Sequence, residues 1–204
     1  MLDNYKKHVD ERAELNIPPL PLDADQTSEL ISLLKEKNND PDYLLNLLKE
    51  RVPAGVDQAA YVKAAFLADI TTGNASSPYI SKIDAVEILG TMLGGYNVEP
   101  LIRCLEIEEL AETASHVLGR TLLIFDAFNE IFELSKKNKY AKKVIEEWAN
   151  AKWFTEKEDI KEQIKKNNPG LLQDIEIRAV NNIWQILNTC LMENNLEFNK
   201  YLNG

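Results

Sequence analysis

Apolar residues recur at helical spacing along almost the whole chain, and no segment shows sustained strand alternation bounded by turns. The first pattern predicts a helix from Leu2 to Leu15. An extended linker follows, Ile17-Pro18-Pro19-Leu20-Pro21-Leu22, because prolines so closely spaced cannot be helical. A second helix carries Leu30, Ile31 and Leu34. Asp40 before Pro41 reads as an N-cap with proline at the first helical position, opening a helix that places Leu44, Leu45, Leu48 and Val52 on one face.

The stretch from Arg51 to Gly73 is the most informative. Pro53 and Gly55 make a turn, Asp57 is a good N-cap, and Gly73 stands where a C-cap glycine belongs. Between those caps only Gln58, Lys63 and Asp69 are strongly polar. A helix apolar almost all round must be buried on several sides, which calls for helices stacked in layers.

Downstream, Ser81 with Asp84 forms a capping box and opens a helix with Ala85, Leu89, Met92 and Leu93 inward, ended by Gly94-Gly95. A short helix is expected over Val98 to Leu105. The next stripe is Ile107, Leu110, Ala111, Ala114, Val117 and Leu118, with Gly119 marking a break or a close approach. Ile124, Phe125, Phe128, Ile131 and Phe132 form another, and Ala141, Val144, Ile145 and Trp148 the one after. Thr155 with Glu158 is a second capping box, opening a polar helix, and Asn167 to Gly170 is a turn. A long amphipathic helix then carries Leu172, Ile175, Ala179, Ile183, Ile186, Leu187, Cys190 and Leu191. The sum is about eight to ten helices joined by short loops, an all-α chain of stacked antiparallel hairpins in the manner of an α-solenoid. A plain helical bundle is the structural alternative.

Composition narrows the setting. The chain has 204 residues, 45% hydrophobic and 27% charged, with eight glycines and eight prolines, as in a folded globular protein. A chain of this length buries about 70% of its unfolded surface. No run approaches a membrane span, and the start shows no apolar signal core, so a cytoplasmic location is expected. The net charge of −10, half of it in residues 1–50, opposes nucleic-acid and anionic-membrane partners. The basic cluster Lys136, Lys137, Lys139, Lys142 and Lys143 reads as a solvated helix end, lysines being favourable near a helix C-terminus.

Candidate chemistry is sparse. Gly90, Gly94 and Gly95 lack the Gly-Lys-Ser/Thr of a phosphate loop and read as a helix-ending turn needing positive φ. Glu112 and His116 share a helix face, but a metal site wants at least three protein ligands; His8 sits among charges and reads as exposed. The carboxylates at Glu106, Glu108, Glu109 and Glu112, and at Asp126, Glu130 and Glu133, read as solvated faces. Arg51, Arg103 and Arg120 are the forks that could hold a tricarboxylate, or simply surface arginines at helix ends. Cys104 and Cys190 read as two buried reduced thiols. No residue is assigned a catalytic, cofactor-binding or metal-binding role, and no cofactor is expected.

The run RVP-x-GVD-x-AAYVKA-x-FLA-x-I over residues 51–70 resembles the N-terminal HEAT-like domain of bacterial aconitase B. The resemblance continues in family order. It takes in Tyr5, Lys7-His8-Val9 and Glu11-Arg12, then ILGTMLGGYN from Ile88 to Asn97 with Pro100-Leu101-Ile102. Thr121-Leu122-Leu123, Phe125-Asp126 and Phe128 follow, and then Tyr140-Ala141-Lys142, Val144, Trp148-Ala149, Ala151 and Trp153-Phe154. It covers about residues 1–160 and stops near Glu156, which divides the chain into a helical domain of residues 1–155 and a divergent helical extension of 156–204. The resemblance implies a HEAT-like fold. It also implies an accessory part used for dimerisation and partner contact, since the family's isomerisation of citrate and isocitrate uses a [4Fe–4S] cluster and groups in later domains. The segment around Trp148, Trp153 and Phe154 is where the family hands over to a β-rich swivel domain. Here residues 156–204 are expected to fold back over those aromatics.

Three functions remain open from the sequence: a non-catalytic helical module that associates with itself or another protein, an accessory piece of an aconitate hydratase, and a small-anion binder using the three arginines.

Overall fold

The computed structural model describes residues 2–121 and 124–150. Among them lie nine α-helices and a π turn, and no strand. They are α1 (Leu2–Glu14), α2 (Ala24–Leu34), α3 (Pro41–Asn46), the π turn Leu47–Arg51, α4 (Gln58–Thr72), α5 (Lys82–Gly90), α6 (Val98–Cys104), α7 (Ala111–Gly119), α8 (Ile124–Ser135) and α9 (Lys139–Asn150). The fold is all-α. The elements expected beyond Asn150, the boundary near residue 155 and the fold-back of 156–204 lie outside the described residues, as do the side chains of Ile124 and Phe125.

The chain divides into two compact units, Met1–Asp126 and Ala127–Gly204. In the first, α4 packs on α2 and α5, α5 on α6 and α7, α6 on α7, and α3 on α2 and the π turn. Each helix from α2 to α7 therefore touches neighbours one or two places along the chain. The core is aliphatic: Leu30, Ile31 and Leu34 of α2, Leu44, Leu47 and Leu48, Phe66, Leu67 and Ile70 of α4, and Leu89, Leu101 and Leu118 are all buried. In the second unit α8 and α9 bury Phe128, Ile131, Val144, Ile145 and Trp148, with the rings of Phe128 and Trp148 stacked at 6.0 Å. Asn138 starts α9, its Oδ1 accepting from the backbone N–H of Tyr140 and Ala141.

Local signals explain most boundaries. Asp57 Oδ1 accepts from the N–H of Ala60 at the start of α4, and Gly73 closes it at φ +83°. Asp23 with Gln26 and Ser81 with Asp84 are reciprocal capping boxes for α2 and α5. The Ser81 hydroxyl and N–H hold the Asp84 carboxyl below the usual carboxylate range.

Three expectations need correction. Asp40 occupies the N-cap position of α3, but its side chain makes no cap bond, because its backbone (φ −133°, ψ 62°) departs from the extended geometry that turns a cap inward. The helix after it is also short. At Leu47 it widens into the π turn, closed by the Val52 N–H to the Leu47 carbonyl at 3.1 Å, which keeps Leu47, Leu48 and Val52 buried together. Finally, α5 stops at Gly90, with its cap at Thr91, rather than at Gly94-Gly95. Leu93, expected inward, is therefore 61% exposed. Its N–H leaves the helix ladder for the carbonyl of Ala54 at 2.8 Å.

Candidate functional site

The loop between the π turn and α4 and the loop between α5 and α6 are pinned together. Besides the Leu93 to Ala54 bond, the Tyr96 hydroxyl donates to the Val56 carbonyl at 2.9 Å. Gly94 lies so close to the other loop that a Cβ there would fall 1.9 Å from the Gly55 carbonyl oxygen. Gly95 reverses the chain at φ +90°. The glycine pair thus does two jobs, one of close approach and one of positive φ, where the sequence pointed to positive φ alone.

This pinning brings apolar side chains to the surface in one place. Val56 is 74% exposed, Leu93 61% and Tyr61 of α4 53%, and the Tyr61 and Tyr96 rings meet edge to face at 5.4 Å. Scattered exposed apolar residues are ordinary, whereas these are grouped by hydrogen-bonded loops on a packed scaffold and form the candidate site. Sequence reasoning missed it because it counted Leu93 as core. The exposed run Leu15, Ile17 and Leu20 is a second apolar segment, on the linker after α1.

That linker shows where several recognisable residues are spent. Prolines leave its carbonyls without neighbouring N–H groups to pair, and side chains take them over. Arg12 Nε donates to the Pro18 carbonyl at 2.5 Å and the Tyr5 hydroxyl to the Leu20 carbonyl at 2.7 Å. Arg51 donates to the Pro19 carbonyl and, through Nε, to the Tyr5 oxygen at 3.2 Å. His8, expected to be exposed, is half-buried against the Tyr5 ring, its Nε2 accepting from the Leu20 N–H at 3.1 Å. It serves the backbone rather than solvent.

The other candidates stay apart. Arg51 is engaged in the linker and Arg103 pairs with Glu99 at 2.5 Å on its own helix, while Arg120 is exposed at the cap of α7. Two of the three forks proposed for a tricarboxylate are thus already occupied. Glu112 and His116 are both exposed. Glu109 pairs with Lys82 at 2.6 Å, and Glu106, Glu108, Glu130 and Glu133 are exposed. Among the described residues no group of three or more His, Cys, Asp or Glu could hold a metal ion. Lys136 and Lys137 follow the C-terminus of α8 as expected, but Lys139, Lys142 and Lys143 fall in the opening turns of α9, the end whose dipole disfavours them. Lys136 is bridged to Glu133 at 2.6 Å and Lys142 approaches Glu146 at 3.9 Å.

Against known families, residues 4–154 match the model described as the aconitate B N-terminal domain. The chain belongs to this family. It is 50% identical to aconitate hydratase B of Synechocystis over 167 residues, which is 80% of this chain and 19% of that protein. The aconitate hydratase B proteins of Pseudomonas aeruginosa and Escherichia coli are each 49% identical over 166 residues, again 80% of this chain and 19% of theirs. The chain spans about a fifth of the length of these curated relatives.

The cysteines of this aconitate B N-terminal domain do not fit an iron–sulfur cluster, which the family resemblance places in later domains. Iron–sulfur clusters are held by cysteine thiolates, ordinarily four. The sequence has two cysteines, and Cys190 lies outside the described residues. Cys104 is fully buried, and burial pushes its thiol pKa up, away from the thiolate, against a smaller opposing pull from the Thr71 hydrogen bond. Among the described residues no helix is long and apolar enough to cross a membrane.

Proposed function

We propose that this chain is a non-catalytic, cytoplasmic association module, a HEAT-like stack of antiparallel hairpins that joins a second copy of itself through the surface formed by Val56, Tyr61, Leu93 and Tyr96. The observation that supports this reading most is the patch itself. Two loops are bound to each other by one backbone hydrogen bond, a Tyr96 hydroxyl bond and a glycine contact, and the product of that order is apolar exposure rather than a reactive group. A division into a helical domain of residues 1–155 and an extension of 156–204 belongs to the same reading, and the end of the family match at residue 154 supports it. Light-scattering mass of the full chain tests it. A dimer is expected, with Val56→Asp plus Leu93→Asp shifting it to monomer at unchanged thermal stability. A wild-type monomer at all concentrations, or a dimer indifferent to those changes, overturns it.

A second reading has its own support. Identity of 49–50% to aconitate hydratase B over 80% of this chain, but only 19% of those enzymes, fits an accessory piece of an aconitate hydratase. On this reading citrate–isocitrate isomerisation needs a separate cluster-bearing chain. Adding the purified chain to such a chain lacking its own helical domain would raise turnover; unchanged turnover and no co-elution dismiss it.

A further inference from the structure

The linker after α1 has a regular surface of its own. Proline fixes its own φ and pushes the residue before it to extended backbone, so Ile17-Pro18-Pro19-Leu20-Pro21 is a polyproline-type stretch with three residues per turn. Burial along it follows that period. Pro19 is half-buried and Leu22 fully buried, three places apart, and this edge faces the protein. Ile17 and Leu20, 40% and 54% exposed, make one outward ridge, and the exposed Pro18 and Pro21 make the other. The backbone is largely engaged within the chain: Arg12, Arg51 and Tyr5 hold the carbonyls of Pro18, Pro19 and Leu20, and the Leu20 N–H donates to His8 at 3.1 Å. What the linker offers to a partner is therefore apolar side chains in a conformation already fixed, which leaves little entropy to lose on binding.

Surfaces lined by aromatic rings take such stretches, because flat rings pack against prolines and the aliphatic side chains beside them. The same unit carries one. The Tyr61 and Tyr96 rings meet at 5.4 Å with 77° between their planes, so they form a corner rather than a flat stack, and Val56 and Leu93 add exposed aliphatic area to it. The Tyr96 hydroxyl bond to the Val56 carbonyl ties its ring to the neighbouring loop. A linker does not fill the patch of its own chain, since Ile17 and Leu20 stand exposed while Val56, Tyr61 and Leu93 do too.

We propose that the Tyr61–Tyr96 surface receives the Ile17–Pro21 linker of a second copy, so that the chain associates head to tail, patch on linker. The inference rests on the self-association proposed above and names what the patch binds. Unlike surfaces need no self-complementarity, and a twofold pair makes the contact twice, once in each direction.

The test measures the mass of the full chain by light scattering over a range of concentrations. Ile17→Asp with Leu20→Asp alters side chains only and keeps the backbone bonds of Leu20. It should weaken dimerisation at least tenfold, as should Val56→Asp with Leu93→Asp. The decisive sample is an equal mixture of the two double variants. Each brings the surface that the other lacks, so a dimer holding one of the two contacts should reappear, and an affinity tag on one variant should recover the other with it. Circular dichroism and thermal unfolding check that the linker variant is folded; if it is not, Ile17→Ser with Leu20→Ser replaces it. A wild-type monomer at all concentrations overturns both this inference and the self-association beneath it. A linker variant that dimerises like wild type overturns the head-to-tail contact alone and leaves the patch as the interface. A mixture that stays monomeric also overturns the head-to-tail contact.

Discussion

The middle of α4 and the turn after α5 each bury one polar side chain, and the two fare differently. Asn97 is 1% exposed; its Oδ1 has no hydrogen-bond partner, yet its Nδ2 donates to the carbonyls of Leu89 at 2.8 Å and Met92 at 3.0 Å. Those carbonyls lie at and just beyond the C-terminal end of α5, where the Leu89 carbonyl also accepts from the Met92 N–H at 3.1 Å. Asn97 thus acts as a distant C-cap. Lys63, equally buried, stands in the middle of a continuous helix among buried apolar residues, and its amine has no hydrogen-bond partner. The lesson is that polar burial is stabilising at interrupted backbone and costly in uninterrupted helix. It is the state of the neighbouring backbone, not the polarity of the side chain, that decides the sign.

Replacing Lys63 is the strongest test of that contrast. The unfolded chain holds the Lys63 proton up to about pH 10.5, and the folded chain releases it near pH 8. Between those values the unfolded state binds more protons, so stability rises with pH there and the full deficit is present below pH 8. Lys63→Met should therefore stabilise the protein at pH 7 by about 3 kcal/mol, a gain shrinking toward zero by pH 10.5. Denaturant unfolding at the two pH values checks it. A loss of stability on substitution at pH 7 would mean that the amine finds a partner after all.

Asn97→Leu should do the reverse. It keeps the volume but takes one donor from each of the Leu89 and Met92 carbonyls, and the expected loss is about 1–2 kcal/mol in the unfolding free energy. Asn97→Asp should be worse at neutral pH, since a carboxylate would face two carbonyl oxygens, and should recover in part on acidification. Equal stability of the Leu variant would show the end of α5 to be satisfied by other means.

How far these features could be read from the residues follows the same division. Asp57, Gly73, Ser81 and Asp84 behave as read, because a cap is a matter of three or four consecutive residues. The stripe Ala141, Val144, Ile145 and Trp148 is buried as its spacing implies. Long-range contacts were out of reach. Periodicity carries the α5 stripe on to Leu93. The helix instead ends at Gly90, where a Cβ would come within 2.3 Å of Val117 Cγ1, and the Leu93 N–H crosses to Ala54. That crossing turns an apparent core residue into the centre of the exposed patch, so the candidate site was illegible for the reason the helix end was. His8 and Arg51 are similar: nothing in their neighbours announces that linker backbone will need them. The family resemblance, by contrast, was fully legible and is upheld over residues 4–154.

Gly94→Ala sharpens the comparison from the backbone side. The turn can present Asn97 to α5 only while its own chain lies against Gly55, and a Cβ would meet that carbonyl oxygen at 1.9 Å. Backbone on both sides leaves no flexible side chain to yield, so the loops must separate. A loss of about 1–3 kcal/mol is expected, together with disruption of the Val56–Leu93 surface. Gly90→Ala should cost less, because it meets only the side chain of Val117. The reverse order would place the pinning of the loops elsewhere.

The smallest effect isolates what α4 owes to its caps from what it loses at Lys63. Asp57→Ala removes the acceptor for the Ala60 N–H without touching the core, and costs about 1 kcal/mol. The cap lies at the exposed end of the helix and the amine in its buried middle. If cap and core act independently, the double variant Asp57→Ala with Lys63→Met should equal the sum of the singles at pH 7. If instead the protonated amine already strains the first turns of α4, removing it should tighten the helix start and enlarge the penalty for losing the cap. Thermal unfolding of the four proteins separates these outcomes. Additivity would confine the cost of Lys63 to desolvation of the amine, and a surplus in the cycle would show that the buried charge is felt along the helix as far as its cap.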